Sequence, residues 1–211
     1  TGWEGVMAEL RKIAIVGSAR IPFTRGHTGY ADEGNLSMLG AALGGIADRY
    51  NLKGEKIDEV MAGAVISHSR DFNLAREAAL DAGFSPRTPG TNIQIACGTS
   101  LQAALALGAK IATGEIDSAI AGGTDNVSDA PIVVGDKLQH RLINLNKAKT
   151  FGQRLGTFKG CSFGELSPVA PSTQEPRTGL SMGQHCELMA REWGIPREAQ
   201  DQLALRSHHN A

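Results

Sequence analysis

Apolar residues along the first part of the chain alternate between two rhythms, one of strands and one of helices. Residues 12–16, Lys-Ile-Ala-Ile-Val, form a short apolar run expected to be a buried strand. Leu36, Leu39, Leu43 and Ile46 then fall three or four apart, which predicts a helix over 37–50. A polar turn at Lys53-Gly54-Glu55 leads into a second strand over 59–66. A helix over 73–82 is closed by Gly83, where a left-handed residue commonly ends helices. A third strand is expected over 91–96, a helix of small residues over 100–112, and a fourth strand over 118–122. Strands separated by helices call for parallel pairing through right-handed crossovers, hence an α/β sheet flanked by helices.

The rhythm changes from Asp136 onward. Between Lys137 and Gly160 stand six basic residues (Lys137, Arg141, Lys147, Lys149, Arg154 and Lys159) and no acidic one. Leu138, Leu142 and Leu145 share a helical face, with Phe151, Leu155 and Phe158 beyond them. Two readings stay open: a solvated helix packed by its leucine stripe, or a docking surface for phosphates, acyl chains or a membrane interface. Further along, Met182, Cys186, Met189 and Trp193 mark one helix face, and Glu187 and Arg191 are spaced to pair. Gly194 is expected to end that helix and Pro196 to open another.

Composition narrows the class. With 211 residues, 41% of them apolar, the chain has core material for one domain or one and a half. Aromatics at 5% beside 26 glycines point to closely packed small-residue helices and many turns. A net charge of −1 gives no electrostatic case for nucleic acid or an anionic membrane as partner of the chain as a whole. Three cysteines without regular spacing favour a reducing, cytoplasmic setting. No apolar run reaches the ~18 residues that a membrane-spanning helix needs. Residues 1–6 lack the apolar core of a signal peptide and read as a short leader or added extension, with Met7 as the natural start.

The most pointed chemistry is at Cys97. It ends the segment Asn92-Ile93-Gln94-Ile95-Ala96-Cys97 and precedes Gly98-Thr99-Ser100-Leu101-Gln102-Ala103, a buried strand running into a small-residue helix. Unpaired N–H groups and the positive end of the helix dipole there favour negative charge on the sulfur, as a nucleophile requires. Small neighbours would let a substrate approach. The alternative is a buried structural cysteine behaving as a small hydrophobe.

This segment resembles the reactive-cysteine block of the thiolases. Ala121-Gly122-Gly123-Thr124-Asp125-Asn126-Val127-Ser128-Asp129 is similar to the Ala-Gly-Gly-x-(Asp/Glu)-x-x-Ser block of that family. Met182-Gly183-Gln184-His185-Cys186-Glu187 and the run from Ile195 to His208 are similar to its Met-Gly-x-x-Ala-Glu and Ile-(Ser/Pro)-Arg-Glu-x-Gln-Asp motifs. With the opening Lys12–Val16 and Arg20-Ile21-Pro22-Phe23, ordered blocks cover nearly the whole chain. The basic block, with Leu145-Asn146-Lys147-Ala148-Lys149-Thr150, looks most like β subunits of fatty-acid-oxidation multienzyme complexes. There such an insertion binds coenzyme A, meets a partner α subunit or lies near lipid.

The resemblance implies a thiolase-like fold: a mixed five-stranded sheet flanked by helices, whose fifth strand would lie beyond Ala211, plus a helical insertion. On that mapping, 7–130 is an incomplete N-terminal domain, 131–211 an incomplete insertion or loop domain, and a C-terminal thiolase domain is absent. Family motifs with Gly-His-Pro, Glu-Ala-Phe and Cys-x-Gly do not occur here, so the acid/base cysteine and the activating histidine are expected outside this chain. The implied activity is acyl transfer through a thioester on Cys97. It would cleave a 3-oxoacyl-CoA to acetyl-CoA and a shortened acyl-CoA, or run the reverse Claisen condensation, with the Cys97 N–H as an oxyanion donor. Coenzyme A is then a substrate, and no cofactor or metal is expected. Met182 and Gly183 would line the pantetheine or acyl groove, although Ser181 departs from the histidine common at that position and a methionine on a helix face is often core. A homodimer or tetramer, an α-subunit partner and peripheral membrane contact through 137–160 are also implied.

Two rivals remain from the sequence: a ketoacyl-synthase-like condensing enzyme, which lacks the Met-Gly and Arg-Glu-x-Gln-Asp motifs, and a truncated or split, non-catalytic binding or assembly module. Other constellations are weaker. His208-His209 and His185-Cys186-Glu187 lack zinc-ligand spacing, and no glycine fingerprint for dinucleotides follows a strand into a helix. His68 and Arg70 either approach the reactive segment or are solvated.

Overall fold

The structure, a computed structural model, describes residues 10–169 and 172–210. Contacts divide it into two compact units, one reaching to Pro131 and the other beginning at Ile132.

The first unit is built on a short parallel sheet. Strand β1 (Glu59–Gly63) lies between β2 (Gly90–Asn92) and β3 (Ala119–Gly123), with Val60 opposite Gly90 and Ile120. Successive β1 side chains point to opposite faces, and both faces are covered. Val60 and Ala62 join the cluster built from helices α1 (Asn35–Arg49) and α2 (Leu74–Asp81). Met61 instead packs with Ala103 and Leu107 of α3 (Thr99–Thr113). A parallel sheet covered on both faces explains why all five residues of β1 are buried. Buried Leu39, Leu43 and Ala47 on α1 recur every four residues, and the small Ala75, Ala78 and Ala79 of α2 let the two helices lie close.

Helix ends follow local chemistry. Asn73 caps α2 by accepting the Arg76 N–H at 3.1 Å, and Gly83 (φ +86°) ends it while the Phe84 N–H reaches back to the Ala79 carbonyl. Gly114, at φ +77°, closes α3 in the same way. One charged group is buried within the sheet: Glu59 accepts from Lys110 at 2.8 Å and from Thr91 at 2.6 Å, tying β1 to α3 and β2. Burial pushes the Glu59 carboxyl up, but the Lys110 and Thr91 hydrogen bonds outweigh it and hold the group below its usual range.

Three strand expectations are corrected, the first in that the second strand, expected over 59–66, ends at Gly63. Residues 12–16 form no strand, and Ile15 is 95% exposed. The segment is held by single contacts instead, such as the Arg11 N–H on the Ala112 carbonyl (2.9 Å) and the Arg49 guanidinium on the Ser18 carbonyl (2.6 Å). The third strand stops at Asn92 instead of continuing to 96: Ile93 still packs against the Met61 cluster, but Gln94, Ile95 and Ala96 are exposed and leave the sheet. Among the described residues the sheet therefore has three parallel strands. Residues 1–6 lie outside the described residues.

The second unit holds a two-stranded antiparallel pair, β4 (Val133–Val134) with β5 (Pro168–Val169), and helices α4 (Asp136–Lys147), α5 (Phe151–Gly156), α6 (Met182–Glu192) and α7 (Arg197–Asn210). Thr150 and Gln153 form a reciprocal cap at the start of α5, and Ser181 and Gln184 do so at α6. Arg141 is the hub of the α4–α5 region: it binds Glu165 at 2.9 Å and the Thr157 carbonyl at 2.8 Å. That hydrogen bond from Arg141, opposed by burial, lowers the Glu165 pKa. The expected Glu187–Arg191 pair forms at 2.6 Å, and Gly194 (φ +63°) ends α6. No helix among the described residues is long and apolar enough to cross a membrane.

Candidate active site

The C-terminal ends of β1 and β3 meet the turn that carries Cys97, and glycine makes that approach possible. A Cβ on Gly63 would collide with the Ile93 carbonyl and come within 2.9 Å of the Thr99 methyl; one on Gly123 would lie 2.5 Å from the Ser100 hydroxyl. The Ile93 N–H extends the contact by donating to the Ala62 carbonyl at 3.1 Å. Asn92 fixes the exit of β2, accepting the Ala75 N–H at 2.9 Å and donating to the Phe72 carbonyl at 3.2 Å.

From this anchor the chain turns sharply. Ala96 adopts a left-handed backbone (φ +46°), which costs a non-glycine residue about 1–2 kcal/mol. The Gly98 N–H returns to the Ile95 carbonyl (3.1 Å) and the Thr99 N–H to the Ala96 carbonyl (3.2 Å). Gly98 is the N-cap of α3 and supplies no side-chain cap. Cys97 stands one residue earlier, free and exposed. The buried setting expected for it is therefore replaced by a strained turn that presents the thiol outward, so the structural-cysteine reading loses its premise of burial.

The block after β3 is a clamp. The Asp125 carboxylate accepts the N–H groups of Val65 (3.1 Å) and Ile66 (2.7 Å). Buried Asn126 donates to the carbonyls of Tyr30 and Glu33, both at 2.7 Å, and accepts the Ser128 N–H at 2.9 Å. The Ser128 hydroxyl accepts the His27 N–H at 2.8 Å. His68 and Arg70, left open between two readings, both bind Asp129: His68 through a ring nitrogen on its carbonyl and Arg70 on its carboxylate. Asp125, Asn126 and Asp129 thus knit the loop after β1 to the segment before α1. Only the dense run of small polar residues after a strand could have signalled this in the sequence.

Beside the turn lies a cavity of about 150 Å³, lined by Gly63, Ser67, His68, Asp71, Asn92 and Gln94 among others. Met182 and Gly183 belong to the second unit. Met182 is the first residue of α6 and 75% exposed; Gly183 borders an open groove with Leu180, Glu187, Leu188 and Arg191. The expected apolar face of α6 is largely exposed, since Met182, Met189 and Trp193 all face solvent. Among the described residues no three His, Cys, Asp or Glu side chains come together as a metal site.

Comparison with known proteins places this geometry. The family described as thiolase, N-terminal domain, matches residues 13–211. A 3-ketoacyl-CoA thiolase of Shewanella halifaxensis is 39% identical over 197 residues, which cover 93% of this chain and 45% of that protein. One from Shewanella oneidensis is 40% identical over 197 residues, with the same coverage of 93% and 45%. The crystal structure of the Bacillus anthracis acetyl-CoA acetyltransferase superposes with a TM-score of 0.72 at 24% identity, covering 95% of this chain and 47% of that one; at that identity the likeness speaks for the fold. The chain spans about half the length of the relatives it matches.

Proposed function

The chain belongs to the thiolase N-terminal domain family, and from that premise we propose that the whole protein is an acyltransferase acting on 3-oxoacyl-CoA through a thioester on Cys97. The observation that carries the reading is the exposed Cys97 on a left-handed turn at the head of α3. In the degradative direction the Cys97 thiolate attacks the keto carbon and the carbon–carbon bond to the acetyl-CoA moiety breaks. The departing enolate takes up a proton, and a second coenzyme A thiolate then displaces the acyl group from Cys97. Each step passes through an oxyanion. The N–H groups of Gly98 and Thr99 are engaged in closing the turn, and the Cys97 N–H, at the head of α3, is proposed as one oxyanion donor. The base and the second cysteine come from outside these residues, so the 211-residue chain alone does not turn over. Met182 and Gly183 are proposed to border the substrate groove, in a homo-oligomeric, cytoplasmic enzyme. Lys137, Lys147, Lys149, Arg154 and Lys159 are exposed beside the apolar Phe151 and Leu155. With Leu138 buried and Arg141 bound to Glu165, α4 is packed as the solvated reading requires, and the docking role of the exposed basic face is kept as a proposal.

The test is the intact mass of the full-length protein before and after acetyl-CoA, with Cys97→Ala alongside. The gain of one acetyl group by the parent and none by the variant is expected. An adduct that survives in the variant, or none in either, overturns the assignment. Thiolysis of a 3-oxoacyl-CoA by free coenzyme A separates this reading from a ketoacyl-synthase-like enzyme.

A further inference from the structure

Among the described residues, Thr99 is the one side chain that closes the turn carrying Cys97 from both sides. Its hydroxyl oxygen accepts the Ile95 N–H at 2.9 Å, and its proton goes to the Ala96 carbonyl at 2.7 Å. The residue is 5% exposed, although it is the first residue of a helix. The two groups it binds flank the left-handed Ala96 immediately before the nucleophile. Its methyl group lies where any side chain on Gly63 would intrude, which fixes the clamp to the end of β1. A backbone conformation of this kind persists only where its surroundings over-determine it, and here the hydroxyl supplies two of the determining bonds.

We propose that Thr99 is a positioning residue that holds the Ala96–Cys97 peptide in the orientation from which the thiol reacts. It acts through the backbone and touches no substrate. For the reaction the proposal rests on Cys97 being the acyl-accepting nucleophile, but the geometry it asserts can be read without turnover. Without the hydroxyl the Ile95 N–H and the Ala96 carbonyl each lose a partner, and the turn relaxes toward ordinary backbone angles. The sulfur then moves relative to the end of α3 and to the bound thioester. Displacements of about 1 Å near the reacting atoms cost on the order of 100-fold in rate.

The experiment compares Thr99→Val, which keeps the shape and removes the hydroxyl, with Thr99→Ser, which keeps the hydroxyl and removes the methyl. In the full-length protein, kcat and KM for thiolysis of a 3-oxoacyl-CoA are measured beside the rate of Cys97 alkylation by iodoacetamide and the melting temperature. Thr99→Val is expected to lose about 10- to 100-fold in kcat with KM within roughly twofold, and to alkylate at a changed rate while still folded. Thr99→Ser is expected to restore both values to near the parent's. A folded Thr99→Val with parental kcat and alkylation rate overturns the proposal, as does a Thr99→Ser variant as impaired as Thr99→Val. If Thr99→Val does not fold, Thr99→Ser decides: a parental alkylation rate supports the hydroxyl clamp and an altered one overturns it. A parent that alkylates at Cys97 but never turns over 3-oxoacyl-CoA refutes the acyltransferase reading, and the alkylation rates then judge the clamp alone.

Discussion

Glycine at position 63 is a requirement of volume. Its φ lies outside the left-handed range, so an alanine would be free to adopt the backbone; the obstacle is the Ile93 carbonyl and the Thr99 methyl, which occupy the place of a Cβ. Neither neighbour is the loose end of a flexible side chain, so relief requires moving the Cys97 turn itself. Gly63→Ala is expected to destabilise the first unit by about 3 kcal/mol, the upper end of overpacking costs. Gly44→Ala provides the contrast, because a Cβ there meets nothing within 4 Å. In the interior of α1 that change should stabilise by about 0.5–1 kcal/mol. Urea midpoints of the two variants should move in opposite directions; a Gly63→Ala midpoint equal to the parent's shows that the turn yields without cost.

Between elements, the Glu59–Lys110–Thr91 group makes stability depend on pH in a way that can be worked out. The folded Glu59 pKa is depressed below 4.5, so its contribution is fully present above that value and is lost as pH falls through the folded pKa. In Lys110→Met the main opposition to burial is gone, and the carboxyl of Glu59 is pushed up instead. The sign then reverses: ionised Glu59 destabilises the variant at pH 7, and the penalty shrinks as the pH falls toward 4. Urea midpoints at pH 7 and pH 4 should show a parent that weakens on acidification and a variant whose loss is smaller or inverted. Equal slopes for both would mean that the pair does not govern this titration. How far the elements were legible follows from the same distinction between local and distant causes. Helices α1, α2 and α3 could be read because their periodic leucines and alanines, and the glycines that close α2 and α3, act within a few residues. Apolar composition was misleading at 12–16 and at 93–96, because a strand exists only where a neighbour pairs with it. Cys97 stood out as a candidate from its flanks, but the roles of Thr99, Asn126 and Asp129 did not: their partners stand 2 to 96 positions away, and nothing in a threonine or asparagine announces which backbone group it will meet.

At the scale of the molecule, large apolar side chains stand in solvent in both units: Ile15, Val16, Phe23 and Phe72 in the first, Phe163 and Trp193 in the second. Single exposed apolar residues are ordinary, but soluble monomers rarely leave extended apolar surface open. The sheet itself ends on edge strands β2 and β3, whose outer backbone groups can pair with a further chain. Relatives of the chain are about twice its length, and in the proposed whole enzyme further residues would cover this surface. The 211-residue chain produced alone is therefore expected to bind an apolar fluorescent dye strongly, to elute from a sizing column as more than a monomer, and to turn over no 3-oxoacyl-CoA. The full-length protein should suppress the dye signal severalfold at equal molar concentration. A dye-silent monomer of the short chain would instead mean that these side chains are solvated in their own right.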